Sequence, residues 1–162
     1  KIKIGITGQK GFVGTHLYHT LCLSPNKFEK IDYDIGFFRN DDNLDRFVEQ
    51  CDVIVHLAAM NRHKDPNIIY ATNIKLVEKL IASLERTKTN AHVLFSSSSQ
   101  EENDNPYGKS KKEGRILIEN CDEIKSIISN PKLSHKEKIS ELFSLSNSRG
   151  NLDNQTTMIL EF

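Results

Sequence analysis

The sequence predicts an α/β fold built on a doubly wound parallel sheet, and three observations lead to that fold class. Short apolar segments of strand length alternate with longer segments in which apolar residues recur at helical spacing. Residues 52–59 are almost continuously apolar, as in a strand buried on both faces of a sheet. Spaced glycines connect the first strand to the first helix. Strands that alternate with helices imply right-handed βαβ units with helices on both faces of the sheet.

The composition limits the classes of protein. With 162 residues, of which 37% are hydrophobic and 27% charged, the chain suits one globular unit rather than two full domains. Lysine plus arginine and aspartate plus glutamate number 22 each, so we expect neither nucleic acid nor a membrane as a partner. No segment reaches the roughly 18 apolar residues of a membrane span, and the first residues form a charged strand instead of a signal peptide.

The three cysteines, Cys22, Cys51 and Cys121, lie far apart and include no Cys-x-x-Cys spacing. This pattern argues against a disulfide framework and against a zinc site. We therefore expect no metal and a reducing, cytoplasmic location.

A glycine-rich turn follows the first strand. Gly8, Gly11 and Gly14 lead from an alternating strand into a helical pattern. In a dinucleotide site the first glycine takes the tight turn, the second lets the backbone approach the pyrophosphate, and the third lets the helix pack closely on the strand. The pyrophosphate would lie on the free N–H groups at the start of that helix. The residues expected at the cofactor are Gly8, Gln9, Lys10, Gly11, Phe12, Val13 and Gly14.

The first helix and the second strand follow this turn. Val13, Leu17 and Leu21 recur at four-residue steps and form an apolar stripe that can cover one face of the sheet. Pro25 ends this helix. The second strand is predicted near residues 30–35.

The middle of the chain continues the alternation of helices and strands. Residues 44–51 carry a helical pattern and precede the buried strand at 52–59. Residues 68–84 form a long amphipathic helix, and 92–95 form the next strand.

A change in composition divides the chain into one domain and a tail, the remnant of a substrate domain. Residues 1–120 would form the dinucleotide-binding domain. Residues 121–162 are mostly polar, and their helical patterns predict a short helical tail in place of a substrate domain. Ser134 and Glu137 form a capping box within this tail, which carries no recognisable chemistry.

A second group of polar residues suggests catalysis. Residues 96–99 are all serine and end the predicted strand, and Tyr107 and Lys111 share one face of the next helix. A lysine ammonium beside a phenol stabilises the phenolate, so the phenol can exchange a proton with an alcohol or sugar oxygen. A nicotinamide can exchange hydride at the same carbon, while a serine hydroxyl holds the oxygen in place.

These residues resemble the extended short-chain dehydrogenase/reductases that act on nucleotide sugars, a family with a Rossmann-like fold. The matching motifs are Thr7-Gly-Gln-Lys-Gly-Phe-Val-Gly14, His56-Leu-Ala-Ala59, Asn73, the serine run and Tyr107-Gly-Lys-Ser-Lys111. The resemblance implies that Tyr107 is the acid/base, that Lys111 is its partner and a ribose ligand, and that Ser98 orients the substrate. Ser97 and Ser99 are substitutes for Ser98. It also implies cofactor contacts from Leu57, Ala58, Ala59, Asn73, Ser96, Tyr107 and Lys111, with His56 structural.

Within that family, the chain is similar to reductases of bacterial capsule and O-antigen pathways in its motif His56-Leu-Ala-Ala-Met-Asn-Arg62 and in the short stretch before Tyr107. The resemblance implies hydride transfer to a UDP-linked 4-keto-6-deoxy-N-acetylhexosamine. Sugar dehydratases carry acidic residues directly after the hydroxyl residue, whereas Glu101 and Glu102 lie too far along, so dehydration is disfavoured. A UDP-sugar 4-epimerase and a non-catalytic dinucleotide-binding module remain as alternatives.

The expected cofactor is NADP, with NAD as the alternative. NAD enzymes place an acidic residue at the end of the second strand, whereas a nearby arginine suits the 2′-phosphate of NADP. We expect Asp32 and Asp34 to lie within that strand, and Arg39, after its end, to bind the phosphate.

The resemblance ends near residue 120. Family members continue into another strand and a substrate-covering domain, neither of which residues 121–162 contain. We therefore expect an incomplete sugar pocket, which would reduce turnover more than cofactor affinity, because binding energy from the nucleotide end positions the reacting carbon. Family dimers pair through the helices that hold Asn73 and Tyr107, so the resemblance also allows a homodimer.

Overall fold

A computed structural model describes residues 1–119, in which helices flank a four-stranded parallel sheet. The strands are β1 (Ile2–Thr7), β2 (Phe28–Ile31), β3 (Val53–His56) and β4 (His92–Phe95). The helices are α1 (Phe12–Cys22), α2 (Asp41–Glu49), α3 (Pro66–Thr87) and α4 (Pro106–Glu119), and 3₁₀ helices span Ile35–Arg39 and Ser99–Glu102. The predicted doubly wound α/β fold is confirmed. The predicted helical tail, 121–162, lies outside the described residues, and the domain boundary at residue 120 stays a prediction.

The order of the strands creates a crevice at one edge of the sheet. The order is β2-β1-β3-β4, so the chain passes from β1 to β2 on one side and then crosses to β3 on the other. A crevice forms outside the carboxyl ends of two parallel strands where the order reverses in this way, and ligands of open α/β sheets bind there. The segments that begin at Gly8 and at Leu57 leave β1 and β3 at this point.

The strand register places three side chains in one row across the carboxyl end of the sheet. Thr7 of β1 pairs with His56 of β3, which in turn pairs with Phe95 of β4. Because each is the last residue of its strand, this row forms the floor of the crevice.

Apolar cores lie on both faces of the sheet, since successive strand residues point to opposite faces. The core beneath α1 contains Ile4, Ile6, Leu21 and Val53. The core beneath α2 and α3 contains Ile31, Phe38, Leu44, Phe47, Val48, Cys51, Ile54, Leu80 and Ala91. A smaller cluster of Val77, Phe95 and Ile118 joins α3, β4 and α4. The last cluster fixes α4 beside the end of β4.

The second strand ends earlier than the sequence suggests. It spans Phe28–Ile31, so the expectation that Asp32 and Asp34 lie within it is wrong. The physical reason is a competing cap: the Asp34 carboxylate accepts a hydrogen bond from the Gly36 N–H at 2.7 Å and starts the 3₁₀ helix Ile35–Arg39. Asp32 therefore directly follows the strand end.

The first turn of α1 also differs from the prediction. Leu17 and Leu21 pack against the sheet, but Val13 is 62% exposed and does not cover it. The helix begins at the carboxyl end of β1, so its first turn projects beyond the sheet into the crevice region. The four-residue spacing identified the helix correctly but could not show where the sheet ends beneath it.

Candidate functional site

The glycine turn, residues 8–11, contacts the backbone that follows β3. Gly8 has a φ of +74°, and its carbonyl accepts the Gly11 N–H at 2.9 Å. A Cβ on Gly8 would lie 2.8 Å from the backbone nitrogen of Ala58 and 2.9 Å from the carbonyl carbon of Leu57. Only glycine fits a position with this φ and this close backbone approach. The turn and the segment that begins at Leu57 therefore form one continuous wall of the crevice.

The start of α1 has the properties of an anion site. A Cβ on Gly14 would overlap the carbonyl oxygen of Gly8, so this glycine lets the helix pack on the glycine turn. The sequence analysis expected the helix to pack on the strand at this position. Gly11 occupies the N-cap without a side-chain cap, and the first helical turn holds no acidic residue. The N–H groups of Phe12 and Val13 thus face the exposed end of the helix, where a phosphate group fits. Lys10 is exposed beside them.

Thr7 holds the segment that follows β3, a role that the sequence analysis missed. Its carbonyl accepts the Leu57 N–H at 3.1 Å, and its hydroxyl oxygen accepts the Ala58 N–H at 3.3 Å. The predicted strand 52–59 is shorter in the structure and ends at His56, so Leu57, Ala58 and Ala59 follow the strand at the carboxyl edge of the sheet, with the Leu57 and Ala58 side chains packed against the two cores. The pairing of Thr7 with His56 in the sheet identifies this role, and the sequence alone does not give that pairing.

His56 is structural, as the sequence analysis inferred. It is 1% exposed, its Nδ1 lies 2.8 Å from the Thr7 hydroxyl oxygen, and its ring stacks on Phe95 with 5.9 Å between centroids. Burial lowers its pKa to about 3, with a smaller contribution from the Lys111 charge. His56 is therefore neutral around neutral pH.

Acid should destabilise the protein through His56. Its pKa is lower in the folded than in the unfolded chain, so the unfolded state binds the proton first and stability falls as pH falls below 6.5. We expect the free energy of unfolding to fall by about 2 kcal/mol from this residue between pH 6.5 and 5. Urea unfolding at both pH values measures it. His56→Asn keeps a polar partner for Thr7 and should remove this part of the pH dependence; an unchanged slope would contradict the assignment.

Lys111 is a buried ammonium at the end of β4. It is 3% exposed, and its Nζ lies 4.2 Å from the centroid of the Phe95 ring. Burial lowers its pKa to about 8, which the Glu101 carboxylate opposes. Within residues 1–119 its Nζ makes a cation–π contact but no hydrogen bond, so its N–H donors are available to a hydroxyl group.

Tyr107 and Ser98 lie on the two segments that meet beside Lys111. Tyr107 is half-buried in the first turn of α4, one turn before Lys111. Ser98 caps the 3₁₀ helix Ser99–Glu102, and its hydroxyl oxygen accepts the Gln100 N–H at 3.2 Å, which leaves its own O–H free to donate. A Cβ on Gly108 would overlap the Gln100 carbonyl oxygen, so α4 touches this serine-containing segment directly after Tyr107.

Three other predicted residues have different surroundings. Asn73 is buried, and its amide is engaged by the protein: it accepts the Met60 N–H at 2.7 Å and donates to the Met60 carbonyl at 3.0 Å and to the Ser110 hydroxyl at 2.9 Å. These bonds favour a positioning role for Asn73. Ser96 and Arg39 are both exposed.

Tyr33 is a further residue that the sequence analysis missed. Its hydroxyl is buried near the backbone of Gly8, and burial raises its pKa to about 12. Its ring packs on Phe47 with 5.5 Å between centroids. Tyr33 therefore connects the end of β2 with the glycine turn, but no spacing in the sequence marks that contact.

Glu101 is not available as an elimination acid. Its carboxylate accepts the Ser97 hydroxyl and the Arg115 guanidinium, with Nε–Oε2 at 3.0 Å. This pairing agrees with the expectation that dehydration is disfavoured.

Within residues 1–119, no group of His, Cys, Asp and Glu side chains has the arrangement of a metal site. Over the same residues, none of the helices combines the length and the apolar character that crossing a bilayer requires.

The fold and this edge define a Rossmann-like α/β domain with a glycine turn and a Tyr-x-x-x-Lys helix. Residues 4–124 match the NAD dependent epimerase/dehydratase family, and the chain belongs to that family. The resemblance found in the sequence is thereby confirmed. A curated relative, UDP-2-acetamido-2,6-beta-L-arabino-hexul-4-ose reductase of Pseudomonas aeruginosa, is 32% identical over 113 residues. The match covers 68% of this chain and 29% of that relative, so the chain spans less than a third of the relative's length.

Solved structures give the same fold. The capsular polysaccharide assembling protein CapF from Staphylococcus aureus is 28% identical, with a TM-score of 0.56 over 76% of this chain and 31% of that one. RMD from Pseudomonas aeruginosa, solved in complex with NADPH, is 21% identical, with a TM-score of 0.63 over 72% of this chain and 47% of that one.

Proposed function

We propose that the chain binds NADP(H) at the glycine turn and reduces a nucleotide-linked keto sugar. The observation that carries this proposal is the arrangement at the carboxyl edge of the sheet. Lys111 is a buried ammonium with free donors, Tyr107 lies one turn before it, and the segment bearing Ser98 touches the same helix. These are the groups that an alcohol–ketone interconversion needs, namely a proton donor, a charge that stabilises its conjugate base and a donor to the carbonyl oxygen.

The residues at the edge fit a dinucleotide. The close backbone approach at Gly8 and the uncapped N-terminus of α1 form a cradle with free N–H donors that suits a pyrophosphate. In this proposal the pyrophosphate lies on the N–H groups of Phe12 and Val13. Ala58 and Ala59 would border the cofactor, Lys111 would bind its ribose, and Arg39 would bind the 2′-phosphate.

Bound NADPH would supply the hydride that reaches the carbonyl carbon of the sugar. Ser98 donates its O–H to the carbonyl oxygen and holds that oxygen in place. Tyr107 releases its phenolic proton to the same oxygen as the alcohol forms. Lys111 stabilises the phenolate that remains, and solvent later restores the proton.

The proposed substrate is a UDP-linked 4-keto-6-deoxy-N-acetylhexosamine used in surface polysaccharide synthesis. Two relatives support this class: the reductase that is 32% identical, and the capsular polysaccharide assembling protein. Both matches cover less than a third of the relative, so the proposal concerns the nucleotide and catalytic half of such an enzyme.

One assay separates the three candidate functions. The chain is incubated with NADPH and UDP-2-acetamido-2,6-dideoxy-4-hexulose, while NADPH fluorescence and the sugar products are followed. A reductase oxidises NADPH in step with formation of the 4-alcohol. Interconversion of UDP-sugar epimers without net NADPH oxidation identifies an epimerase. NADPH binding with no sugar conversion identifies a non-catalytic module, and either of these two results would overturn the proposed reduction.

Arg39 should determine the preference for NADPH over NADH. Arg39→Ala removes the charged donor proposed for the 2′-phosphate, so we expect the NADPH Kd to rise about tenfold, the value of one charge-assisted hydrogen bond. The NADH Kd should stay unchanged. Fluorescence titration with both cofactors measures this. Asp32→Asn is the matched control, because Asp32 directly follows β2, where an NAD enzyme would use it. If Asp32→Asn weakens the binding of NADH alone, the result would contradict the proposed preference for NADPH.

A further inference from the structure

The Glu101 carboxylate forms a mostly buried link between the serine-containing segment and α4. It accepts hydrogen bonds from Arg115 Nε at 3.0 Å for Oε2 and 3.3 Å for Oε1, Arg115 Nη2 lies 3.0 Å from Oε2 as an ion pair, and the Ser97 hydroxyl donates to Oε1. The Glu101 and Arg115 side chains are only 13% and 16% exposed. A two-point guanidinium–carboxylate pair that is shielded from water fixes geometry more firmly than an exposed pair.

Arg115 belongs to the same helix face as the proposed catalytic residues. Tyr107, Lys111 and Arg115 follow one another at intervals of four residues along α4, so they share a face. Arg115 is itself anchored on this helix by Glu119, with Nη1–Oε1 at 2.7 Å. The Glu101–Arg115 pair therefore holds the serine-containing segment against the face that carries the acid/base pair.

A second contact fixes the same segment one residue earlier, at Gln100. A Cβ on Gly108 would overlap the Gln100 carbonyl oxygen, and the Gly108 N–H donates to the Asn105 side chain at 2.8 Å. Ser98 is bonded to the Gln100 N–H at 3.2 Å. The Gly108–Gln100 packing and the Glu101–Arg115 pair thus both restrict movement of the segment that carries Ser98 relative to α4.

We infer that Glu101, held by Arg115, is a positioning residue that fixes the Ser98 hydroxyl relative to Tyr107 and Lys111. This inference rests on the proposed function for its catalytic consequence. In the sequence, Glu101 was considered only as an acid for dehydration, for which it lies too far along. Its contacts in the structure indicate that it positions the segment carrying Ser98 and raises the pKa of Lys111.

The electrostatic task concerns the charge of Lys111. The charged and titratable groups around Lys111 are Glu101 on the serine-containing segment, His56 on β3, and Tyr107 and Arg115 on its own helix; α3 contributes the uncharged Asn73. Burial lowers the Lys111 pKa, and the Glu101 carboxylate raises it. Removing the carboxylate should lower this pKa further, so the alkaline limb of the pH–rate profile should move to lower pH.

The test compares Glu101→Gln, Arg115→Ala and Arg115→Lys with the control Asp104→Asn, which removes the exposed Asp104–Lys109 pair nearby. Each variant is assayed for kcat, for the sugar KM and for NADPH affinity. We expect Glu101→Gln and Arg115→Ala to lower kcat about tenfold to 100-fold with KM and NADPH affinity unchanged, because the lost alignment matters in the transition state. Arg115→Lys should recover part of the loss. Wild-type kcat and an unmoved alkaline limb in Glu101→Gln would overturn the inference.

Two measurements do not depend on turnover and separate this inference from the proposed function. The first is the titration midpoint of the Lys111 side chain by NMR, and the second is amide hydrogen exchange at Gln100 and Gly108. Glu101→Gln should lower the midpoint and accelerate exchange, whereas Asp104→Asn should change neither. Absence of sugar conversion by the wild-type chain would refute the proposed function alone. An unchanged midpoint and unchanged exchange in Glu101→Gln would refute the positioning role alone.

Discussion

Tyr107→Phe should abolish nearly all sugar reduction while leaving NADPH binding intact. The substitution removes only the phenolic oxygen from a half-buried side chain on α4, so the fold and the cradle at Gly8 should be unaffected. Loss of a general acid costs about 10²-fold to 10⁴-fold in rate, and we expect a loss at the upper end because the phenol is the only proposed proton donor. Steady-state kinetics and NADPH fluorescence titration measure the two properties separately.

Tyr70→Phe is the matched control, since Tyr70 is 38% exposed on α3. This variant should keep full activity. Equal turnover of Tyr107→Phe and the wild type would refute the role of Tyr107 as the acid. A loss of NADPH affinity that matches the loss of turnover would instead assign Tyr107 to binding.

Gly11→Val should have the opposite effect and remove cofactor binding without unfolding the protein. Gly11 has a φ of −75°, which every residue can adopt, and an added Cβ would meet only the Gly8 carbonyl oxygen, at 3.2 Å. The backbone can therefore tolerate the side chain with a small shift. The added methyl groups would occupy the space in front of the α1 N-terminus where the pyrophosphate is proposed to lie. We expect the NADPH Kd to rise at least about 100-fold, since several N–H···phosphate bonds are lost together.

Thr20→Val provides the control for a valine on the same helix, because Thr20 is exposed near the other end of α1. It should bind NADPH like the wild type. Urea unfolding establishes whether Gly11→Val is folded. A folded Gly11→Val variant with unchanged NADPH affinity would place the pyrophosphate elsewhere.

The fold was predictable because local patterns and the sheet agree. The apolar run after residue 52 marked β3, and the glycine spacing after β1 marked the start of α1. Parallel strands with helical crossovers place the carboxyl ends of β1 and β3 at the same edge of the sheet. The glycine turn and the segment after β3 meet at that edge. Sequence periodicity carries this information because both faces of the sheet must be buried.

Boundaries were less predictable because capping competes with strand pairing. Asp34 lies in an alternating polar and apolar stretch that is typical of a strand, yet its side chain caps the next turn and β2 ends before Asp32. Val13 has helical spacing with Leu17, yet it lies beyond the sheet. A local side-chain cap decides the boundary at Asp34, whereas the extent of the sheet decides which residues of α1 are covered.

The candidate site was predictable as a set of residue types but not as a network. Tyr107 and Lys111 could be selected from their spacing and Ser98 from the family resemblance, and their roles remain proposals. The contacts of Glu101 with Arg115, of Asn73 with Ser110, and of Lys111 with the Phe95 ring depend on how α3, α4 and β4 pack. Such long-range contacts leave no periodic signal in the chain.

A crystal structure of the chain with NADP⁺ bound tests the central claim most directly. We expect the pyrophosphate on the N–H groups of Phe12 and Val13, and the reactive carbon of the nicotinamide within about 4 Å of the Tyr107 hydroxyl, close enough for both to reach one carbonyl group of the substrate. Lys111 should bind the adjoining ribose. A nicotinamide ring far from Tyr107, with the phenol facing bulk solvent, would contradict the account.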